Sequence, residues 1–165
     1  MANESKQDLL SDHIREEIDH ALAKYPVEQK RSAVLSALHA VQHEHGYLSV
    51  ELMDAVAGYL ELEPIKVYEV ATFYSMFETS KIGRNSISVC RNISCMLRGA
   101  DEIVEHVEKK LGIKLGETTE DGRVFLKREE ECLAACSNAP MMMVNHKYCE
   151  NLTIEKVDEI LDGLE

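Results

Sequence analysis

All five cysteines of this 165-residue chain lie in its second half, and four of them form two close pairs. Cys90 and Cys95 make a C-x4-C pair, and Cys132 and Cys136 make a C-x3-C pair. Whatever they bind, two such pairs so far apart require a fold that delivers two loops to one point. The first ten residues, MANESKQDLL, contain no basic stretch followed by an apolar one, so no secretory signal is expected. A chain kept in the cytosol keeps its thiols reduced, and five cysteines cannot all pair, so metal binding is the leading explanation.

Four thiolates suit two kinds of centre. A tetrahedral zinc ion takes four and accepts C-x2-C to C-x4-C pairs. A [2Fe–2S] cluster also takes four, two on each iron, so each pair would hold one iron. Spacing leaves both open, though it differs from the plant-type ferredoxin run. A redox disulfide within C-x3-C would leave Cys90 and Cys95 unexplained. The intervening residues favour iron–sulfur. CRNISCMLRGA (90–100) is short on bulky side chains between its ligands and CLAACSNAP (132–140) is built from Leu, Ala, Ser and Asn, letting backbone N–H groups approach sulfur.

Composition narrows the class further. Hydrophobic residues make up 45% and charged residues 29%, a globular balance, and the longest apolar runs, such as Ala139 to Val144, cannot span a bilayer. A net charge of −12 disfavours nucleic acid and anionic lipid as partners. No G-x-G-x-x-G or P-loop is present, so no nucleotide site is expected, and no triad or catalytic acid pair is visible.

The pattern changes near residue 80, giving two expected domains, 1–80 and 81–165, and an α+β chain. In the first, Ser11 caps a helix with Ile14, Ile18, Ala21 and Leu22 on one face, ended by Tyr25-Pro26. A second helix is expected from about Val27 to His45, with Val34, Leu35, Leu38 and Val41 inward and Gly46 as its stop. Ser49 caps a third with Leu52, Met53, Val56 and Leu60, and Pro64 opens a fourth running to about Thr72. The spacing predicts a small antiparallel bundle. Phe73 to Asn85 reads as a connector whose Tyr74, Met76 and Phe77 pack against one half or the other. The second domain reads β-α-β-β-β-α: a strand at Ile87 to Cys90, a helix from Gly99 to Leu111, strands at Val124 to Lys127, Met141 to Asn145 and Tyr148-Cys149. Thr153 then caps a helix with Ile154, Val157, Ile160 and Leu161 inward. The order suits a small sheet covered by two helices.

With these stretches in view, CRNISCMLRGA, TTEDGRVFL (118–126), ECLAACSNAPMMMVN (131–145) and YCENLT (148–153) closely resemble the thioredoxin-like [2Fe–2S] subunit of NADH:quinone oxidoreductase, the E-subunit family of respiratory complex I. VQHEHGYL (41–48) and VATFYSMF (70–77) resemble the same family's helical region. The resemblance spans roughly residues 12 to 163. It implies an N-terminal helical bundle that docks to a partner, followed by a thioredoxin-like domain whose Cys90, Cys95, Cys132 and Cys136 ligate one [2Fe–2S] cluster. It also implies that electrons come singly from a flavin mononucleotide on an adjacent NADH-binding subunit. The chain would then serve a respiratory NADH dehydrogenase, peripheral on the cytoplasmic side of the membrane, without a complete active site of its own. An equivalent subunit of an NAD-linked hydrogenase or formate dehydrogenase, a zinc-stabilised interaction module and a free ferredoxin are the alternatives. One departure is Ala134, where that family usually carries glycine between its third and fourth ligands.

Other residues invite chemistry less strongly. Cys149 is expected to be a buried, inert thiol. His39 and His43 share a helix face at i, i+4, with His45 close by, but Glu44 follows them rather than standing between them, and a solvated face is expected. Met141, Met142 and Met143 are expected in a strand of the core rather than on copper. Arg91 and Arg98 would add positive charge if near the cluster, and Glu129, Glu130 and Glu131 would lower its potential if unscreened.

Overall fold

Ser11 and Ser49 each accept a hydrogen bond from the backbone N–H three residues on, Ile14 at 3.2 Å and Leu52 at 3.3 Å, and so satisfy one otherwise orphaned donor of the helix each begins. Such a cap contributes about 1 kcal/mol. The computed structural model describes residues 9–128 and 132–165. It divides into two compact units, Met1–Lys81 and Ile82–Glu165.

The first unit holds helices α1 (Asp12–Leu22), α2 (Val34–His45), α3 (Val50–Leu60) and α4 (Pro64–Phe73). Ile14, Ile18, Leu38, Val41, Val56 and Leu60 are at most 1% exposed and form its core. The expected second helix is corrected at its start. Val27–Ala33 is a 3-10 segment, broken at Gln29 (φ −105°, ψ 32°), and the α-helix begins only at Val34. Val27 is itself 84% exposed, so no buried contact draws that turn into α-helical register. Gly46, at φ +81°, ends α2 in the left-handed conformation that glycine adopts without penalty. The connector packs onto this unit. Phe77 is buried and Tyr74 and Met76 lie partly buried beside the core. Gln42 latches the segment, donating to the Met76 carbonyl at 2.8 Å and accepting from the Glu78 N–H at 2.7 Å.

The second unit is a four-stranded sheet in the order β2-β1-β3-β4, from β1 (Asn85–Val89), β2 (Val124–Leu126), β3 (Met142–Val144) and β4 (Lys147–Cys149). β1 pairs parallel with β2, aligning Ile87 with Leu126, and antiparallel with β3, aligning Ile87 with Val144. A parallel neighbour needs a crossover. Helix α6 (Ala100–Leu111) provides it, preceded by a four-residue helix α5 (Ile93–Met96) that the periodicity does not predict. β3 and β4 form a hairpin over Asn145 and His146, both at positive φ (47° and 65°), the twist a two-residue hairpin loop requires. Helix α7 (Ile154–Asp162) closes the unit from its Thr153 cap. Ile87, Val107, Val124, Leu126, Met142 and Val157 are fully buried in a core of their own. Ile154, expected inward, is 36% exposed, because the inward stripe of this short helix is carried by Val157 and Leu161. The methionines do pack as core: Met141 and Met142 are buried and Met143 is partly so. Among the described residues no helix is long and apolar enough to cross a membrane.

Candidate metal centre

One cysteine pair sits in the segment that follows β1, the other in the segment that precedes β3. β1 stops at Val89, and Cys90 follows it, its N–H still donating to the Met141 carbonyl at 3.1 Å. The chain then turns through Asn92 into α5, which returns Cys95 toward Cys90; both are 2% exposed. The second pair lies ahead of β3. Cys132 and Cys136 are exposed, with their sulfurs 3.9 Å apart. Between them Ala134 takes φ +59°, the left-handed region, and its N–H reaches Cys132 Sγ at 3.4 Å. A 3-10 turn, Cys136–Asn138, and a cis Ala139–Pro140 bond lead into β3.

As free thiols the four sulfurs act on one another. Burial opposes a thiolate at Cys90, but the N–H groups of Asn92 and Leu133 and the thiols of Cys95 and Cys132 hydrogen-bond to it and hold it below the ordinary thiol range. Cys95 is pushed up to about 11, first by burial and then by its hydrogen bond to Cys90, with Cys136 adding charge repulsion and the Met141 backbone opposing. Cys136 is raised chiefly by its hydrogen bond to Cys132. The two loops therefore meet. Leu133, in the second loop, donates to Cys90 in the first, while its neighbour Ala134 donates within its own pair. Backbone donors to sulfur are expected from the sequence, but which N–H groups serve is not, because an N–H carries no residue signature.

Among the described residues no three or more His, Cys, Asp or Glu side chains converge as a cage for a single ion. The thiols are related in pairs. A concavity of about 570 Å³ lies in the first unit beside His13, Glu17, His20 and His39 and is lined by none of the cysteines. His39 stacks edge-on with Phe77 at 5.4 Å, and His45 bonds the Leu9 carbonyl at 3.2 Å. Arg91 is engaged by Asp101 at 2.9 Å, whereas Arg98 donates to the Ala139 carbonyl at 3.1 Å, and Ser94 donates to the Cys136 carbonyl at 3.2 Å. Cys149, at the end of β4, is half-buried rather than fully buried, because β4 is an edge strand with Lys147 and Tyr148 exposed. Burial still raises its thiol above the ordinary range. Glu129, Glu130 and Glu131 lie outside the described residues.

A mixed four-stranded sheet flanked by helices, with two cysteine-bearing loops beside it, defines a small α+β fold. The sequence matches the thioredoxin-like [2Fe-2S] ferredoxin family over residues 18–165, and the chain belongs to that family. Its relatives include the E subunit of the NADH-quinone oxidoreductase of Rickettsia felis, 47% identical over 86% of this chain and 84% of that protein. A second such E subunit, from Rhizobium meliloti, is 45% identical over 91% of this chain and 88% of its own length. The mitochondrial NADH dehydrogenase [ubiquinone] flavoprotein 2 of Dictyostelium discoideum is 43% identical over 89% of this chain and 60% of its own length. Among solved structures, the air-oxidized NAD+-reducing [NiFe]-hydrogenase shares the fold, with TM-score 0.68, 21% identity, 78% of this chain and 22% of that one. The α+β, thioredoxin-like expectation therefore holds.

Proposed function

We propose that Cys90, Cys95, Cys132 and Cys136 hold one [2Fe–2S] cluster. With it, this chain exchanges single electrons with the flavin mononucleotide of an adjacent NADH-oxidising subunit of an NADH:quinone oxidoreductase. The observation that carries this is the pairing of thiols from two loops. Two thiolates on one tetrahedral metal with metal–sulfur bonds of about 2.3 Å stand about 3.8 Å apart, and Cys132 and Cys136 stand at 3.9 Å. Each pair would supply one iron. The names of relatives sharing nearly half its residues support the complex I setting.

The cluster would supply reversible one-electron chemistry. The protein supplies the environment. Backbone N–H groups of Asn92, Leu133 and Ala134 already point at the sulfurs, and such donors favour the more negative, reduced state. Cys90 and Cys95 are shielded from water, while Cys132 and Cys136 face the surface, where a partner can approach. No proton donor or nucleophile is needed. In this reading FMN and NAD(H) belong to the partner, the first unit contributes docking surface, and the assembly sits on the cytoplasmic face of the membrane.

The test is anaerobic purification with absorption and EPR spectra before and after dithionite, and with iron, sulfide and zinc counted. About two irons and two sulfides per chain, EPR-silent until reduced, are expected, and Cys136→Ala should abolish them. A colourless zinc protein after anaerobic reconstitution, or a normal cluster in Cys136→Ala, would overturn the assignment. Co-purification with a flavoprotein that oxidises NADH tests the partner.

A further inference from the structure

Two side chains of the first ligand loop reach the second, and both land at or just beyond a ligand. Ser94, which precedes Cys95, donates its hydroxyl to the carbonyl of Cys136 at 3.2 Å. Arg98, three residues after Cys95, donates from Nη1 to the carbonyl of Ala139, three residues after Cys136, at 3.1 Å. From the other side, Asn138 holds the same turn by donating to Glu150 at 2.9 Å and accepting from the Asn151 N–H at 2.7 Å. The segment Cys136–Ala139 is therefore pinned from both flanks, although Cys136 itself is exposed.

On the reading that the four thiols hold a cluster, we propose that Ser94 and Arg98 are positioning residues that set the C-x4-C pair at a fixed distance from the C-x3-C pair. Each acts through the backbone of the second loop rather than through a sulfur. A two-iron centre needs this registry more than a single ion does, because its two ligand pairs must stand apart by the width of the cluster. A serine hydroxyl and a guanidinium are suited to the task, since each donates to a backbone carbonyl and leaves the sulfurs free. Arg91 supplies the internal comparison. It adjoins Cys90, carries the same charge, and is spent on Asp101 in α6 rather than on the second loop.

The experiment uses the full chain loaded with iron and sulfide, with release of iron to a chelator followed under argon and the reduced EPR spectrum recorded. Ser94→Ala and Arg98→Met together should release iron about tenfold faster than the parent, as expected from the loss of two hydrogen bonds, and should shift the EPR g values. Arg98→Lys should recover part of the loss, and Arg91→Met should behave as the parent. An unchanged release rate and spectrum in the doubly substituted, fully loaded chain would overturn the inference while leaving the ligand assignment intact. Acceleration by Arg91→Met equal to that by Arg98→Met would also overturn it, showing a general effect of charge. A parent chain that takes up no iron and sulfide defeats the cluster reading and this inference together, and is recognised by its metal and sulfide content before any variant is made.

Discussion

Ala134 bears the clearest local strain in the ligand region, a left-handed backbone at φ +59° in a residue with a Cβ. That conformation costs an L-residue about 1–2 kcal/mol. Glycine escapes the cost but loses about 0.4–1 kcal/mol through its freer unfolded chain. Ala134→Gly should therefore raise stability by about 0.5–1 kcal/mol, read as a higher denaturant midpoint. A lower midpoint would show that the alanine methyl makes a contact worth more than the strain. Cys149→Ala belongs to the same scale. Its thiol lies on an edge strand and is raised by burial rather than by other thiols, so the loaded protein should keep its absorption and EPR spectra unchanged. A changed spectrum would bring Cys149 into the site. The two cysteine pairs were legible in the sequence because each is local, so its spacing is read directly. The convergence was not, since Leu133 reaches Cys90 and Arg98 reaches Ala139 only after the sheet has folded. Ala134 was visible as an unusual residue, but its φ was not.

Helices α6 and α7 are joined by a charged clasp that neither helix shows alone. Asp158 receives His106 Nε2 at 2.7 Å and Lys110 Nζ at 3.0 Å, and Lys110 also holds Asp162 at 2.8 Å. The hydrogen bond from His106, then that from Lys110, holds the Asp158 carboxyl below its ordinary value. A carboxylate depressed on folding stabilises above its unfolded value, and the contribution is lost as pH falls through the folded one. Asp158→Asn should therefore lower the melting temperature at neutral pH and converge with the parent in acid, below the carboxylate range. A difference that persists undiminished there would mean that the substitution acts through packing. At the alkaline end Lys110 is held above its usual value, first by Asp162 and then by Asp158, so its contribution is full below the ordinary lysine value and is lost as pH rises from there through the raised one. Asp162 should preserve part of it in the variant. Salt should shrink the neutral-pH difference, because the groups are partly exposed. At this scale the caps, the glycine stop and the apolar stripes made most helices readable. What escaped were short elements. The four residues of α5 make barely one turn, and Val27–Ala33 lacks the buried face that periodicity needs.

Each of the two units owns a separate apolar core, one built on Ile18, Leu38 and Val56, the other on Ile87, Val124 and Val157. All five cysteines, both loop staples and every backbone donor to sulfur named above belong to Ile82–Glu165. The connector, by contrast, packs on the first unit through Phe77 and the Gln42 latch, so a cut at Lys81 severs no buried side chain of the second core. A fragment of residues 82–165 should therefore fold, since domains of this size do so when they have a core of their own. It should take up the same iron and sulfide as the full chain and match its absorption and reduced EPR spectra. If the helical unit supplies docking surface, as the family resemblance implies, the fragment should also fail to co-purify with the NADH-oxidising flavoprotein that the full chain retains. A fragment that folds by circular dichroism but loads no cluster would show that residues before Ile82 complete the site. A fragment that loads and still binds the flavoprotein would move the docking surface onto the ferredoxin unit, where Ile93, Met96 and Leu97 stand exposed beside Cys95.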